Sequence, residues 1–464
     1  MECLTRFDSP QLKKCHSGKV RESFKADEQH RLFLATDRIS CFDKVLKTPI
    51  PSKGAVLNLL SAWWFEKTRD ICPNHFVKII DPSISLVREA KPIHLEMVVR
   101  AYLTGSAWRN YQKGERQISG VSIPNGLTKN APFPEPIVTP TTKETSDRSI
   151  TAKEIIQEGW ATETQYQQIH DIALNLFKKG SAILEERGII LVDTKYEFGM
   201  INDELVLIDE IHTPDSSRFW LKEDYRNNPE TVEQLDKEFV RAYLMEHKKG
   251  GVYPEILPDE IVQETSRRYL ELYERITGTS LKLPEISPGE RIVKNLVREG
   301  FMKEGCVILV MGSPSDKGHA EKIAERIKKY DIAVTLRIVS AHKNGEKIPT
   351  IMEDVIWCYE PAAIIAIAGR SNGLGGALSA NVPVPVINCP PFQDKLDFLV
   401  NINSSLLMPS ETPAMTVVDP KNAADAAMLC LNLPTIKEKF REKIGSVKKT
   451  LDQANAQLQE QQDV

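Results

Sequence analysis

The rhythm of hydrophobic positions changes near residue 300 of this 464-residue chain. From Cys306 onward, short apolar runs alternate with segments of helical spacing. The runs 306–311, 334–339, 363–368, 384–387 and 415–418 read as strands. The segments 317–330, 348–357, 373–380, 394–407 and 423–431 read as helices. Strands that are apolar throughout, rather than alternating, belong to a parallel sheet covered on both faces. The pattern therefore predicts a five-stranded doubly wound α/β domain. The tail 435–462 reads as a polar-faced helix carrying Phe440, Ile444 and Val447 on one side, an arm for packing or oligomerisation.

Upstream the same rules give a different picture. Short alternating strands come early, as at 31–35 and 93–99, with helices at 56–67, 166–186 and 227–247. This is an α+β pattern. The segment 262–299 is helical and charged, with a Pro/Gly break at 284–289, and reads as a closing helix plus a connector. The expected domains are 1–300 and 301–464.

Composition narrows the function classes. Sixty basic and 64 acidic residues give a net charge of −4, so no global positive field recruits nucleic acid. The longest apolar runs, such as 362–368, are too short to span a bilayer. The opening segment MECLTRFDSPQLKK has no apolar core of a signal peptide, and the eight cysteines show no CxxC pair or metal spacing. A cytoplasmic protein with reduced thiols is expected.

In an open parallel sheet, ligands bind beyond the carboxyl ends of the strands. The loops there are Gly312-Ser313-Pro314-Ser315-Asp316, Ser340-Ala341-His342-Lys343, Gly369-Arg370-Ser371-Asn372-Gly373 and Asn388-Cys389-Pro390-Pro391. Small residues at such turns free backbone N–H groups for a phosphate. Lys343 or Arg370 supplies a cation, and His342 is the only imidazole in these loops, suited to moving a proton. Taken singly, each loop also suits a helix cap. The run Gly373-Leu374-Gly375-Gly376 misses a dinucleotide fingerprint at Leu378.

GSPSD, SAHK, AGRSNGLG and NCPP, in that order, resemble AIR (phosphoribosylaminoimidazole) carboxylase of purine biosynthesis, from Cys306 to about Leu431. Lys343 and Arg370-Ser371-Asn372 match the branch that fixes CO2 directly rather than the one that moves a carboxyl from an N-carboxylated substrate. Gly376 departs from the proline usual in the animal enzymes. The resemblance implies AIR and CO2 as substrates and CAIR as product, a carboxy-lyase reaction without ATP or metal. It implies that Ser313, Ser315 and Asp316 hold the ribose phosphate. Ser340, His342 and Lys343 would flank the reacting carbon, and Arg370, Ser371, Asn372 and Gly373 would face the CO2 side. It also implies a homo-oligomer with an octameric carboxylase core.

In the first half, strand alternation over 193–199 puts Asp193, Lys195 and Glu197 on one face. With 200–204 as the turn, centred on Asp203, Glu197 is expected directly opposite Asp209. Two such carboxylates suit Mg²⁺ shared with nucleotide phosphates, or else form a solvated hairpin face. Ser17-Gly18-Lys19-Val20-Arg21 lacks the earlier glycine of a Walker loop, which leaves a glycine hairpin over phosphates or a plain surface turn.

These pieces resemble SAICAR synthase, the consumer of CAIR, in its longer fungal-like form. The matching stretches are GKVRESF, ATDRISCFD, PSKGAVLNLLS, EMVVRAYLTGS, TPTTKETSD, LVDTKYEFG and DEIHTPDSSRFW, covering about Leu12 to Thr279. Glu22, Phe24, Cys41 and Ser146 depart from the usual residues. The resemblance implies an α+β ATP-binding domain followed by the doubly wound, flavodoxin-like one. It implies ATP at Lys19, Arg21 and Lys195, and Mg²⁺ at Glu197 and Asp209. CAIR and L-aspartate would lie at Asp37, Arg100, Ser106, Lys143, Asp215 and Arg218, with Lys195 and Asp147 in catalysis beside His342 and Lys343 of the other domain. The rival reading is a synthase alone, its C-terminal domain non-catalytic or a mutase.

Overall fold

The structure, a computed structural model, describes residues 2–144, 147–370 and 373–462. It divides into two compact units, one of Met1–Thr5 and Lys14–Pro288, the other of Arg6–Lys13 and Gly289–Val464.

The first unit contains two five-stranded sheets. Strands β1 (Lys14–Ser17), β2 (Arg21–Lys25), β3 (His30–Ala35), β4 (Phe76–Asp81) and β5 (Ile84–Arg88) form an antiparallel sheet in the order β1-β2-β3-β5-β4. The second sheet is built on the long strands β6 (Lys91–Tyr102), β7 (Pro132–Thr142) and β8 (Ile189–Ile201). The free edge of β8 is shared by two short strands, β9 (Glu204–Ile208) along one half and β10 (Ser217–Leu221) along the other. Residues 209–216 span the gap between them.

Alternation gives this second sheet one apolar face. Met97, Val99, Val138, Tyr196 and Phe198 pack with Ile169, Leu176 and Phe177 of helix α2 (Glu163–Glu185), and with Leu60 and Trp64 of helix α1 (Lys53–Lys67). A capping box starts α2: Gln165 N–H donates to Thr162 Oγ1 at 3.2 Å and Thr162 N–H to Gln165 Oε1 at 3.1 Å. The opposite face is polar and carries the site.

The helix expected at 227–247 is broken. Lys222–Asn227 and Glu238–Glu246 are helical, with a short 3₁₀ turn at Pro229–Thr231 between them. Pro229 cannot donate to the ladder, and Asp236 spends its carboxylate on the N–H groups of Phe219 and Glu238, at 2.9 and 2.8 Å.

In the second unit, β11 (Cys306–Met311), β12 (Ala333–Ile338), β13 (Ala362–Ile367), β14 (Val386–Asn388) and β15 (Met415–Thr416) form one parallel sheet. Their order, β12-β11-β13-β14-β15, is the flavodoxin-like one. Every residue of β11 is buried. Val307, Leu309 and Met311 face one core, while Cys306, Ile308 and Val310 face the other. That is why the strand reads as a continuous apolar run. The tail helix, Pro434–Gln462, buries Ile436 and Phe440, then runs on with Ile444, Val447, Leu451 and Leu458 exposed.

Two segments lie across the cut at residue 300 expected from sequence. Helix Pro288–Arg298 buries Ile292, Val293 and Leu296 in the second unit, and a Cβ on Gly289 would come within 2.3 Å of the Tyr359 ring. The other is Arg6–Lys13. Phe7 is fully buried and stacks on Tyr359, ring centroids 6.1 Å apart. Ser9 Oγ donates to Glu360 Oε1 at 2.5 Å. Burial pushes the Glu360 carboxyl up to about 7, against the effect of that bond. Gln11 exchanges hydrogen bonds with the backbone of Lys303, at 3.2 and 2.8 Å.

The residues that receive this segment precede β13, at the opposite end of the strand from the ligand loops, so its role is stability. Phe7→Ala is expected to cost about 3–5 kcal/mol, the usual loss for a buried phenylalanine. Calorimetry of the full chain should show a lower unfolding temperature, with the second unit unfolding before the first. An unaltered unfolding profile would count against the docking of residues 6–13.

Candidate functional site

The polar face of the second sheet concentrates charge through strand pairing. Glu197 lies opposite Glu96, and Asp193 opposite both Arg100 and Arg218. Lys195 Nζ sits between the paired glutamates, 2.7 Å from Glu96 Oε1 and 2.9 Å from Glu197 Oε1. Lys143 also pairs with Glu197. Burial disfavours the Lys195 ammonium, but Glu197, Glu96 and Asp209 hold its pKa above the ordinary lysine value.

The hairpin register differs from expectation by one residue. Ile208, not Asp209, lies opposite Glu197. The turn is the two-residue Asn202-Asp203 pair, at φ 48° and 64°, so it is centred between these residues rather than on Asp203. Both tolerate the left-handed region that such a tight hairpin needs. Asp209 follows the strand at φ 66°, which ends the pairing and re-aims the carboxylate. There it pairs with Arg21, which also pairs with Glu210. Burial opposes ionisation of Asp209, yet Arg21, Lys195 and Lys143 hold its carboxyl below the ordinary range.

Beside this cluster is an arginine pair. Arg218 bonds Asp193 and lies 3.4 Å from Glu238, while Arg100 is 3.2 Å from Asp193 and donates to Thr139 Oγ1 at 3.0 Å. Gly105, at φ 56°, lets Arg218 approach: a Cβ there would lie 2.4 Å from its guanidinium. That brings exposed Ser106 to the same corner. Lys19 is exposed and 2.7 Å from Asp43. Asp147 is exposed just after the residues outside the description.

Two of the expected ligand-binding carboxylates are occupied internally. Asp37 is buried, accepting from Leu4 N–H at 2.7 Å and Gly54 N–H at 2.9 Å, which caps α1. Asp215 is buried between Lys53 Nζ at 2.9 Å and the Tyr269 hydroxyl at 3.1 Å. Each carboxylate oxygen thus has an internal partner that fixes its loop. His212, which sequence reasoning passed over, anchors the same loop. It is fully buried with Nε2 2.6 Å from the Tyr196 hydroxyl, and burial pushes its pKa down to about 3.

Glu96 was also missed as a site residue. It opens the EMVVRAYLTGS stretch, and counting back from Arg100 by twos puts it on the charged face. Among the described residues no three His, Cys, Asp or Glu side chains form a metal cluster. Magnesium needs only one or two protein carboxylates when phosphates and water complete its shell, and Glu197 and Asp209 are hard oxygen donors of that kind.

In the second unit the four loops meet at the carboxyl ends of the strands. Ser313 and Asp316 form a capping box: Asp316 accepts from Ser313 N–H at 3.0 Å, and Ser313 Oγ accepts from Ser315 N–H at 3.3 Å and Ser315 Oγ at 2.9 Å. Burial raises the Asp316 carboxyl above its ordinary value, against the Ser313 bond. Ser340 N–H donates to Asn344 Oδ1 at 2.8 Å, turning the second loop. His342 and Lys343 are exposed on it. A Cβ on Gly373 would lie 3.2 Å from His342 Cε1, so the second and third loops touch there. Arg370 is exposed in the third loop; Ser371 and Asn372 lie outside the described residues. At the start of the following helix, Gly375 packs so closely that a Cβ would fall 1.8 Å from Asn388 Oδ1.

These two sites define a two-part enzyme, a charged α+β cleft and a flavodoxin-like domain with a histidine among its ligand loops. Residues 14–267 match the SAICAR synthetase family model, and residues 306–454 match the AIR carboxylase model. The chain belongs to the SAICAR synthetase family and carries an AIR carboxylase domain behind it.

The phosphoribosylaminoimidazole-succinocarboxamide synthase of Bacteroides thetaiotaomicron is 46% identical over 310 residues, 64% of this chain and 98% of that protein. The Legionella pneumophila (strain Paris) synthase is 42% identical over 311 residues, again 64% and 98%. The solved SAICAR synthase from Saccharomyces cerevisiae complexed with SAICAR is 35% identical, covers 60% of this chain and 100% of that one, and superposes with a TM-score of 0.54.

Proposed function

We propose that the chain is bifunctional. Its C-terminal domain carboxylates AIR with CO2 to CAIR, without ATP. Its N-terminal domain ligates CAIR to L-aspartate, with ATP giving SAICAR, ADP and phosphate. The observation that carries the ligase reading is the single sheet face joining Lys195, Glu197, Glu96 and Lys143 to the arginine pair on Asp193.

A carboxylate resists attack by an amine. Phosphoryl transfer from ATP to the CAIR carboxylate makes an acyl phosphate, and the amine of aspartate then displaces phosphate. Lys19 and Lys195 offset charge on the transferred group. Arg100, Arg218 and Ser106 bind the ribose phosphate of CAIR, with Asp193 orienting the arginines. Lys143 and Asp147 lie on the loop that closes the site. Glu197 and Asp209 would hold Mg²⁺, which supplies Lewis-acid neutralisation of the phosphates.

In the carboxylase, the aminoimidazole carbon is already electron-rich. It needs CO2 positioned in a dry pocket and a base for the ring proton. Ser313, Ser315 and Asp316 hold the phosphate and His342 takes the proton. Lys343 and Arg370, which match the CO2-fixing branch, support direct carboxylation over mutase chemistry. The exposed apolar residues Leu396, Leu399, Val400 and Leu406 suit a homo-oligomer. No described helix is long and apolar enough to cross a membrane, and a cytoplasmic location fits the eight free cysteines.

The test supplies AIR with bicarbonate/CO2, or its N-carboxylated form, in the absence of ATP. CAIR is expected from AIR and CO2. Turnover of the N-carboxylated form alone would make the domain a mutase, and turnover of neither would leave a synthase only.

A further inference from the structure

The third ligand loop of the second unit turns on Arg370, whose φ is 58°. A non-glycine residue at that angle is strained and persists only where the surroundings fix it. Here one helix, Lys395–Leu406, fixes it from both sides of the residue. Arg370 N–H donates to Asn401 Oδ1 at 2.5 Å, and the Arg370 carbonyl accepts from Ser404 Oγ.

Asn401 also reaches the next loop. Its Nδ2 donates to the Pro391 carbonyl at 2.7 Å. The side chain is 2% exposed, so water has little access to replace either bond. Gly369 makes room for it: a Cβ there would lie 3.2 Å from Nδ2. One buried carboxamide thus joins the loops after β13 and β14, accepting from one and donating to the other. Aspartate lacks the donor and leucine lacks both groups.

We propose that Asn401, with Ser404 beside it, is a positioning residue for the carboxylase reaction. It holds Arg370 in the left-handed conformation and ties Arg370 to the loop after β14. Asn401 itself meets no reacting atom. This inference rests on the carboxylase reading above and adds to it the residue that fixes Arg370.

The experiment uses the full chain with Asn401→Leu, Asn401→Asp and Ser404→Ala. Each is assayed for AIR carboxylation and for SAICAR synthesis from supplied CAIR, with circular dichroism and thermal unfolding alongside. Asn401→Leu is expected to lower carboxylase kcat by ~10–10²-fold, the scale of a misplaced reacting geometry. The KM for AIR should stay within about 2-fold, because the phosphate sits on the first loop, and small displacements there are not expected. Asn401→Asp, which retains the acceptor for Arg370, should lose less than the leucine variant. Ser404→Ala, the mildest change, keeps the test open should Asn401→Leu fail to fold, and should lower kcat several-fold.

Wild-type kcat in folded Asn401→Leu, or in Ser404→Ala and Asn401→Asp together, would overturn the proposal. So would losses that appear in KM alone. A different result would overturn the reading beneath it: wild-type protein that forms no CAIR from AIR and CO2.

Discussion

Replacing Glu197 by glutamine is expected to lower ATP-dependent SAICAR formation by roughly 10²–10³-fold, the scale of losing one group that stabilises developing charge. Carboxylation of AIR should continue at the wild-type rate. Glu197 is buried, accepts from Lys195 and Lys143, and lies opposite Glu96 across the sheet. Glutamine keeps the shape and an acceptor oxygen, so the strand pairing survives. The negative charge that would bind a cation is lost, and Lys143 is left facing a neutral amide.

Lys195 remains anchored by Glu96, so a collapse of the lysine does not account for the loss. Glu96→Gln is the control that separates the two roles: it should disturb Lys195 while sparing the carboxylate assigned to the metal, and its synthase activity should respond less to added Mg²⁺. The measurement is steady-state synthesis from CAIR, aspartate and ATP over a magnesium series, with carboxylase activity as the check on folding. Near-normal turnover of Glu197→Gln at saturating Mg²⁺ would remove Glu197 from the metal site.

Some of this architecture was legible before any coordinates because its causes are local. Each strand of the second unit's sheet core is apolar because both its faces are covered, and that pattern belongs to single residues such as Val307 and Ile308. The charged face of the first unit was legible as alternation from Asp193 to Glu197. What escaped is set by geometry or by long-range partners. Whether a hairpin turns on one residue or between two moves Asp209 out of opposition to Glu197, and the sequence around Asn202-Asp203 allowed either. Asp37 and Asp215 read as site carboxylates only through the resemblance of their motifs to SAICAR synthase, which says nothing of their internal partners. Two of those partners, Gly54 N–H and Lys53 Nζ, lie at the start of α1. The docking of Phe7 beside Tyr359 joins residues from opposite ends of the chain, and no periodicity encodes such a contact. Asn401 sits in a segment that reads simply as a helix until its amide is seen to link two loops.

His342→Asn is expected to lower carboxylase kcat by ~10²–10⁴-fold, the usual range for a lost general acid–base group. His342 stands on the loop after β12, at the switch point between β11 and its two neighbours, where flavodoxin-like sheets bind ligands. Its ring lies against Gly373 of the third loop, so a substrate carbon and CO2 held between these loops are within its reach. The ring proton of AIR must leave after the carbon attacks CO2. Of the side chains on the second loop, only the imidazole of His342 is of a type suited to carrying that proton, and Lys343 would place a positive charge beside the new carboxylate.

Asparagine preserves size and hydrogen bonding but cannot carry that proton. AIR affinity should therefore change little, since the phosphate site proposed above is the Ser313–Asp316 turn. Synthesis of SAICAR from supplied CAIR should be unchanged, because that chemistry uses the other unit. The decisive pair of measurements is carboxylation kinetics and AIR binding by calorimetry. A fall in kcat with intact binding fits the proton-transfer role. A wild-type kcat would reduce His342 to a turn residue, and a loss explained by weakened AIR binding would move it from the reacting carbon to the substrate's rim.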